Sequence, residues 1–389
     1  MIYLFTFILL LIPVIRFDLM QLKGNKQLWL YLEFFVLVLI AGIRYRVGGD
    51  TIVYMDHFEG YPTISELSTF DFENAVYNRL WYIYNSVFKS LGDSFTLFQI
   101  VQALIVNTVF FRFFKRYSPF YFTAILVYFW GYYCYFNMEI QREVLAICVL
   151  LESYYFLQNK KFIIYYLLCV LAMFFHTSAV IMFFIPLVYF IKKDYYWVPL
   201  LIIILVVLSL KVFNVITIFL SIAIPDSKLT ETIAAYLLLD SPNIIGQTIY
   251  ILKVVPFILI MFVRNKYGYN EDSLMGRMLF FSVAIQSVTM YISVTQRFSN
   301  YIYPFGIIFV VNTVLYHYWD IKSHLLSKII VNAALFIYLF NLSYFYLQNR
   351  YDDLQGAHVF HRYIPYNTVF NKKSNMFREQ LMQNERADN

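Results

Sequence analysis

The sequence predicts an all-α protein, a polytopic transmembrane helical bundle of about twelve spans, and three observations carry that expectation. Apolar runs close to the length of a bilayer crossing recur along the whole chain. Charged residues make up 14% of the 389 positions and hydrophobic ones 61%, with a mean hydropathy of +0.61. Lys and Arg gather in alternate connections between the runs. A soluble chain carries roughly 25% charged and about 45–50% apolar residues. Charge this sparse cannot cover a water-facing surface, so lipid must solvate most of it.

A crossing needs about 20 mostly apolar residues. Runs that reach or approach this length lie at 2–15, 28–43, 95–114, 120–136, 144–157, 162–175, 178–191, 197–213, 244–263, 274–293, 301–316 and 329–346. The first has neither a basic leader nor a small-residue cleavage site, and so reads as an uncleaved helix. The runs flanking His176 are short: either two helices joined by a tight turn or one longer helix broken inside the membrane.

Orientation follows from the bases. Arg16, Lys23 and Lys26 fall in the first connection and Arg112, Lys115 and Arg116 in the third. Lys160, Lys161, Lys192, Lys193, Arg264, Lys266, Lys322 and Lys328 fall in later odd ones. Basic loops stay in the cytoplasm, which puts the even connections and both termini outside. The predicted organisation is a membrane domain at 1–347, with outer loops at 44–94 and 214–243, and a polar tail at 348–389 that reads as a soluble appendage.

The net charge of +6 is dispersed in these short clusters, which argues against a nucleic-acid partner. Cys134, Cys148 and Cys169 lie within apolar runs without CxxC spacing, so neither a disulfide framework nor a metal site is indicated. The chain contains no GxxxxGK[ST] phosphate loop, no HExxH and no Asp-x-Asp, and it shows almost no charge deep inside the spans. An ATP-driven pump and an ion-coupled transporter are thereby disfavoured, and no cofactor or metal is expected.

Four elements at helix ends require explanation: Arg44-Tyr45-Arg46-Val47-Gly48-Gly49-Asp50, Asn137-Met138-Glu139-Ile140-Gln141-Arg142-Glu143, His176-Thr177-Ser178 and Gln296-Arg297-Phe298-Ser299-Asn300-Tyr301. The expected topology sets all four at the outer rim, where Arg runs against the usual bias. Guanidinium forks bind phosphate oxygens bidentately, so an anion is expected among Arg44, Arg46, Arg142 and Arg297. Each feature also has a plain structural alternative. Gly48-Gly49 suits a close backbone approach to phosphate, and equally a turn. Asp50 suits a general base, and equally a partner for Arg44 or Arg46. Glu139, Arg142 and Glu143 stand at spacings that pair along one helix. His176 is either catalytic or a satisfied turn residue. Arg297 has no acidic neighbour in sequence.

Gly42-Ile43-Arg44-Tyr45-Arg46-Val47-Gly48-Gly49-Asp50 followed by Tyr54 and Phe58, Gln141-Arg142-Glu143 opening a helix through Ala146, Phe175-His176-Thr177-Ser178-Ala179, Gln296-Arg297-Phe298 with Tyr301, and Ile364-Pro365-Tyr366 together resemble the EpsG family of Wzy-type polysaccharide polymerases. The resemblance implies a GT-C-like bundle in the bacterial cytoplasmic membrane, with its active site on the outer face. It implies polymerisation of glycan repeat units carried on undecaprenyl diphosphate, among membrane lipids, with a flippase and a chain-length regulator as partners. On this reading Asp50 or His176 is catalytic. Arg44, Arg46, Arg142 and Arg297 hold the diphosphate, and Gly48, Gly49, Tyr54, Glu139, Gln141 and Tyr301 support them. The competing readings are a ligase-like transferase using a polyprenyl-phosphate donor and a flippase or exporter for lipid-linked glycan.

Overall fold

The computed structural model describes residues 1–75, 77–190, 244–267, 274–278, 281, 285, 296–319, 325–348 and 357–387. Among these the architecture is all-helical, with only an isolated bridge pairing Arg44 with Thr368. We number the helices α1 Ile2–Pro13, α2 Lys26–Gly42, α3 Gly49–Phe58, α4 Arg79–Ser90, α5 Phe95–Tyr117, α6 Tyr121–Gly131, α7 Tyr133–Met138, α8 Gln141–Gln158, α9 Phe162–Phe175, α10 Ile244–Tyr267, α11 Gln296–Trp319, α12 Leu325–Leu347 and α13 Met376–Ala387.

Among the described residues, four stretches are long and apolar enough to cross a membrane: Ile2–Leu19, Phe95–Tyr117, Arg297–Trp319 and Leu325–Leu347. Shorter apolar helices accompany them at Tyr121–Gly131, Phe162–Phe175, Thr177–Phe190 and Leu252–Val263. This is a membrane protein. The spans expected at 197–213 and over most of 274–293, and the outer loop at 214–243, lie outside the described residues.

The chain divides into two compact units, one of Met1–Met182 with Leu342–Asn389 and the other of Phe183–Asn341. In the first, α2 packs along α5, α8 lies between α5 and α9, and α1 packs on α6. Side-chain bonds set the two ends of this bundle. Lys115 Nζ at the end of α5 donates to Gln27 Oε1 at the start of α2 (3.0 Å), and Arg112 meets Glu152 near the end of α8 (3.4 Å). At the other end Gln99 Nε2 donates to the Arg44 carbonyl (3.1 Å) and Gln102 Nε2 to the Gln141 carbonyl (2.8 Å). The segments 44–50 and 139–143 therefore share one end, away from the basic loops.

Three sequence expectations change. The run at 120–136 is broken at Tyr132 into α6 and α7, and its Gly131 sits so close to Leu342 that a Cβ there would lie 2.6 Å from Leu342 Cδ1. The loop at 44–94 is not open chain. It forms α3 and α4 around an aromatic core of Tyr54, Phe58, Tyr61, Trp81, Tyr82, Phe95 and Phe98, where edge-to-face pairs such as Trp81–Phe98 (5.6 Å) add to area burial. The tail is no soluble appendage: Arg378 has none of its surface exposed, and Val359, Tyr363 and Leu381 are buried. Buried polar groups need partners, and the tail finds them on the first unit.

Candidate functional site

The site is built on the chain reversal between α2 and α3. Gly48 has φ +99 and ψ 150, a conformation open essentially to glycine alone, and a Cβ on it would collide with the Met138 carbonyl. Gly48 N–H donates to the Arg362 carbonyl (2.9 Å) and Gly49 N–H to Glu139 Oε1 (3.3 Å). The glycine pair thus lets the Arg362 carbonyl and the Glu139 carboxylate approach the backbone. Gly48→Ala is expected to lose about 1–3 kcal/mol of stability, read as a lower melting temperature in detergent.

Glu139 is the centre of a buried clamp. It takes Arg362 Nη1 (2.9 Å), the Tyr363 hydroxyl (2.6 Å) and the Gly49 N–H. Arg362 and Tyr363 come from the tail, so the pairing along one helix that the sequence allowed for Glu139 is replaced by a long-range one. The tail also runs beside 43–45, with Tyr45 N–H donating to the Asn367 carbonyl and Val369 N–H to the Ile43 carbonyl (both 2.9 Å). Arg378 donates to the carbonyls of Arg46 (2.7 Å), His361 (3.3 Å) and Pro365.

The four arginines have different surroundings. Arg44 is buried and donates to the Ala41 carbonyl and to Thr51 Oγ1 (3.1 Å from Nη2). Thr51 is also reached by Gln141 Nε2 (3.0 Å), so both Arg44 and Gln141 are occupied in fixing the reversal. Arg46 has a left-handed backbone (φ 51) and forms a two-pronged pair with Glu379, Nε–Oε1 2.6 Å and Nη2–Oε2 2.7 Å, while Nη1 meets Asp56 at 3.1 Å. The anion expected for Arg46 is here supplied by the protein itself. The hydrogen bond to Glu379 holds the guanidinium above its ordinary value, firmly charged.

Arg142 differs from both. Its Nε donates to the Tyr54 hydroxyl (3.1 Å), and its Cζ lies 4.1 Å from the Tyr77 ring centroid and 5.9 Å from that of Tyr54. Among the described residues its terminal amino groups meet no carboxylate. It is the second residue of α8, whose start has no side-chain cap. A cation there opposes the helix dipole, so helix stability does not account for it, whereas dipole and guanidinium together favour an anion. Burial raises the Tyr54 phenol well above its ordinary range, which keeps it a neutral partner.

Asp50, Tyr54 and His57 follow one another at four- and three-residue spacing on α3 and so share a face. Asp50 is exposed and its charge acts on the Tyr54 phenol. His57 Nδ1 lies 2.8 Å from the Tyr77 hydroxyl, and Tyr77 is the ring beneath Arg142. Sequence reading passed over His57, though its spacing from Asp50 was the available signal. Tyr77, Arg362, Arg378 and Glu379 gave no local signal, because each is joined to the site through space.

His176 ends α9 in an extended conformation (φ −153, ψ 131) and a 3-10 segment, Thr177–Phe190, follows. Of the two alternatives, two helices joined by a tight turn is what forms: the Tyr165 hydroxyl of α9 donates to the Met182 carbonyl (2.6 Å), so the segment after His176 runs back along α9. His176 Nδ1 lies 2.6 Å from Ser178 Oγ and accepts the Ser178 N–H (3.2 Å), which leaves the proton of the neutral ring on Nε2. Its Nδ1 therefore caps the following turn. In the second unit, Arg297 is an exposed second residue of α11, in a first turn without acidic residues, and Tyr301 has none of its surface exposed. Gln-Arg opens α11 as Gln-Arg opens α8.

The sequence model of the EpsG family matches residues 27–368. The matched range runs from the start of α2 to Thr368, which pairs with Arg44. No curated protein and no solved structure matches the chain.

Proposed function

The chain belongs to the EpsG family, a membership consistent with a membrane protein of polysaccharide synthesis, and from that premise we propose that it is a glycosyltransferase that polymerises lipid-linked glycan. Repeat units carried on undecaprenyl diphosphate are joined at the outer face of the cytoplasmic membrane. The observation that carries this reading is Arg142: a guanidinium laid on Tyr77, fixed by Tyr54, standing at an uncapped helix start with its terminal amino groups turned to no protein acid among the described residues.

In this reaction a sugar hydroxyl of the acceptor unit attacks the anomeric carbon of the donor. The bond from that carbon to the diphosphate oxygen breaks, and the lipid diphosphate leaves with the electron pair. Preorganised donors lower the barrier where this charge develops. Arg142 takes that role, and Arg297, which follows Gln296 at the start of α11 as Arg142 follows Gln141 at the start of α8, is a second candidate donor. Arg44 and Arg46, engaged with Thr51 and with Glu379 and Asp56, position the reversal that carries Asp50. Asp50 is the group on the α3 face that orients the acceptor hydroxyl and receives its proton. Tyr54 and Tyr77 hold Arg142.

Purified protein incubated with lipid-linked repeat units is expected to give a ladder of longer products on a gel. Arg297→Ala is expected to abolish the ladder while leaving the folded protein in the membrane. A single added unit would instead indicate a ligase, and no product with accelerated lipid translocation would indicate a flippase. Cysteine labelling that put position 142 on the cytoplasmic side would end this reading.

A further inference from the structure

The buried face of α2 is formed by Leu30, Glu33, Leu37, Ile40 and Ala41, a stripe at helical spacing with one carboxylic acid in its midst. Glu33 has none of its surface exposed, and neither of its oxygens has a hydrogen-bond partner among the described residues. A leucine would fill the same stripe without electrostatic cost, so packing does not account for the acid. The charge on Asp18 acts on Glu33.

Asp18 has a different environment. It lies in the π-helical turn Val14–Leu19 that extends α1, and one of its oxygens accepts both the backbone N–H and the hydroxyl of Thr123 (2.8 Å each) near the start of α6. Lys26 also acts on it. Asp18 is itself buried, which works against ionisation, but the Thr123 bonds and Lys26 oppose that cost, and Glu33 has neither; of the two, Asp18 is the better placed to hold a negative charge. Other titratable groups do not alter this. Tyr121 from α6 feels both acids, Tyr133 from α7 gives its hydroxyl to the Leu37 carbonyl, and Lys115 from α5 is tied to Gln27. An ionised carboxylate buried without a partner is far too costly to persist, whereas adding a proton removes the charge. Two acids whose surroundings differ in this way take opposite protonation states.

We infer that Glu33 is a proton-binding site inside the first unit: it stands in the fold as the neutral carboxylic acid, and ionised Asp18 is the neighbour that keeps the proton there. An ionisable group inside a membrane-spanning helix is costly and is by default a functional residue. The site lies on the α2 face, apart from the arginines, and its existence does not depend on the polymerase reading.

The test is infrared spectroscopy of the purified protein with isotope-labelled Glu carboxyls, comparing wild type with Glu33→Gln. A carboxylic-acid carbonyl band is expected at neutral pH in the wild type and is lost in Glu33→Gln. Asp18→Asn, which keeps an oxygen for Thr123, is expected to lose the band at lower pH than the wild type, because the charge holding the proton is gone. Thermal melting gives a second reading. A free Glu ionises near about pH 4.3, so the wild type is expected to fall progressively below Glu33→Gln in melting temperature as pH rises from there. Absence of the acid band at neutral pH, or parallel melting of the two proteins at all pH values, would overturn the assignment. Loss of the band on adding sodium at fixed pH would also overturn it, since the ligand would then be a metal cation.

Discussion

Arg142→Ala is expected to slow polymer formation by about 100- to 1000-fold, the effect of removing one preorganised donor from a developing oxyanion, while the protein still folds and inserts. Arg142→Lys is expected to recover little. An ammonium keeps the charge but loses the planar fork, the Nε–H that meets the Tyr54 hydroxyl at 3.1 Å and the flat stacking on Tyr77. The measurement is initial rate of ladder formation at saturating lipid-linked substrate, with folded yield followed by size-exclusion chromatography. Full activity in Arg142→Ala would remove the central support of the proposed function. Tyr77→Phe preserves the ring under the guanidinium and removes the hydroxyl that His57 reaches at 2.8 Å. It therefore separates stacking, which survives, from any contribution of the His57–Tyr77 contact.

The second large effect concerns the clamp. Glu139 and Arg362 form a buried pair at 2.9 Å, and the carboxylate also holds Tyr363 and the Gly49 backbone. Breaking such a pair from one side leaves the other charge buried alone, at a cost of roughly 3–5 kcal/mol. Glu139→Ala and Arg362→Ala are each expected to lower the melting temperature sharply and to reduce polymer yield by displacing the reversal. The double variant is expected to lose clearly less than the sum of the two, since neither charge is then stranded. Additive losses in this cycle would mean that the tail and the 139–143 segment act separately. A chain ending at 356, which lacks Arg362, Tyr363, Arg378 and Glu379, is expected to show at least the defect of Arg362→Ala, since Glu139 is then stranded and Arg46 also loses Glu379.

These results bear on how far the sequence reaches. Hydropathy and the placement of bases made the helical membrane class legible, because lipid leaves a spanning chain few options for its backbone polar groups. The helix ends carrying Arg44, Arg142 and His176 were also legible, since charge at the edge of an apolar run is conspicuous. The choice among arginines was not. Arg44, Arg46 and Arg142 are alike in sequence, yet one is buried against Thr51, one is paired to Glu379 from the tail, and one rests on Tyr77. Those partners lie at sequence separations of 7, 333 and 65 residues, respectively. Glu33 shows the same limit, as a single acid in an apolar run looks incidental until its lack of a partner is seen.

From the amino-acid order alone come the all-helical class, the membrane as solvent and the residues with the chemistry to hold a phosphate, because each depends on local composition or spacing. Only the tertiary structure decides which of those residues are used up in holding the fold. The tail is the clearest case: its polar composition reads as solvent-facing, but Arg362 and Arg378 are buried by pairing with Glu139 and with backbone carbonyls on segments distant in the chain. A charged group is buried when a partner meets it in space, and no local pattern records where that partner will be.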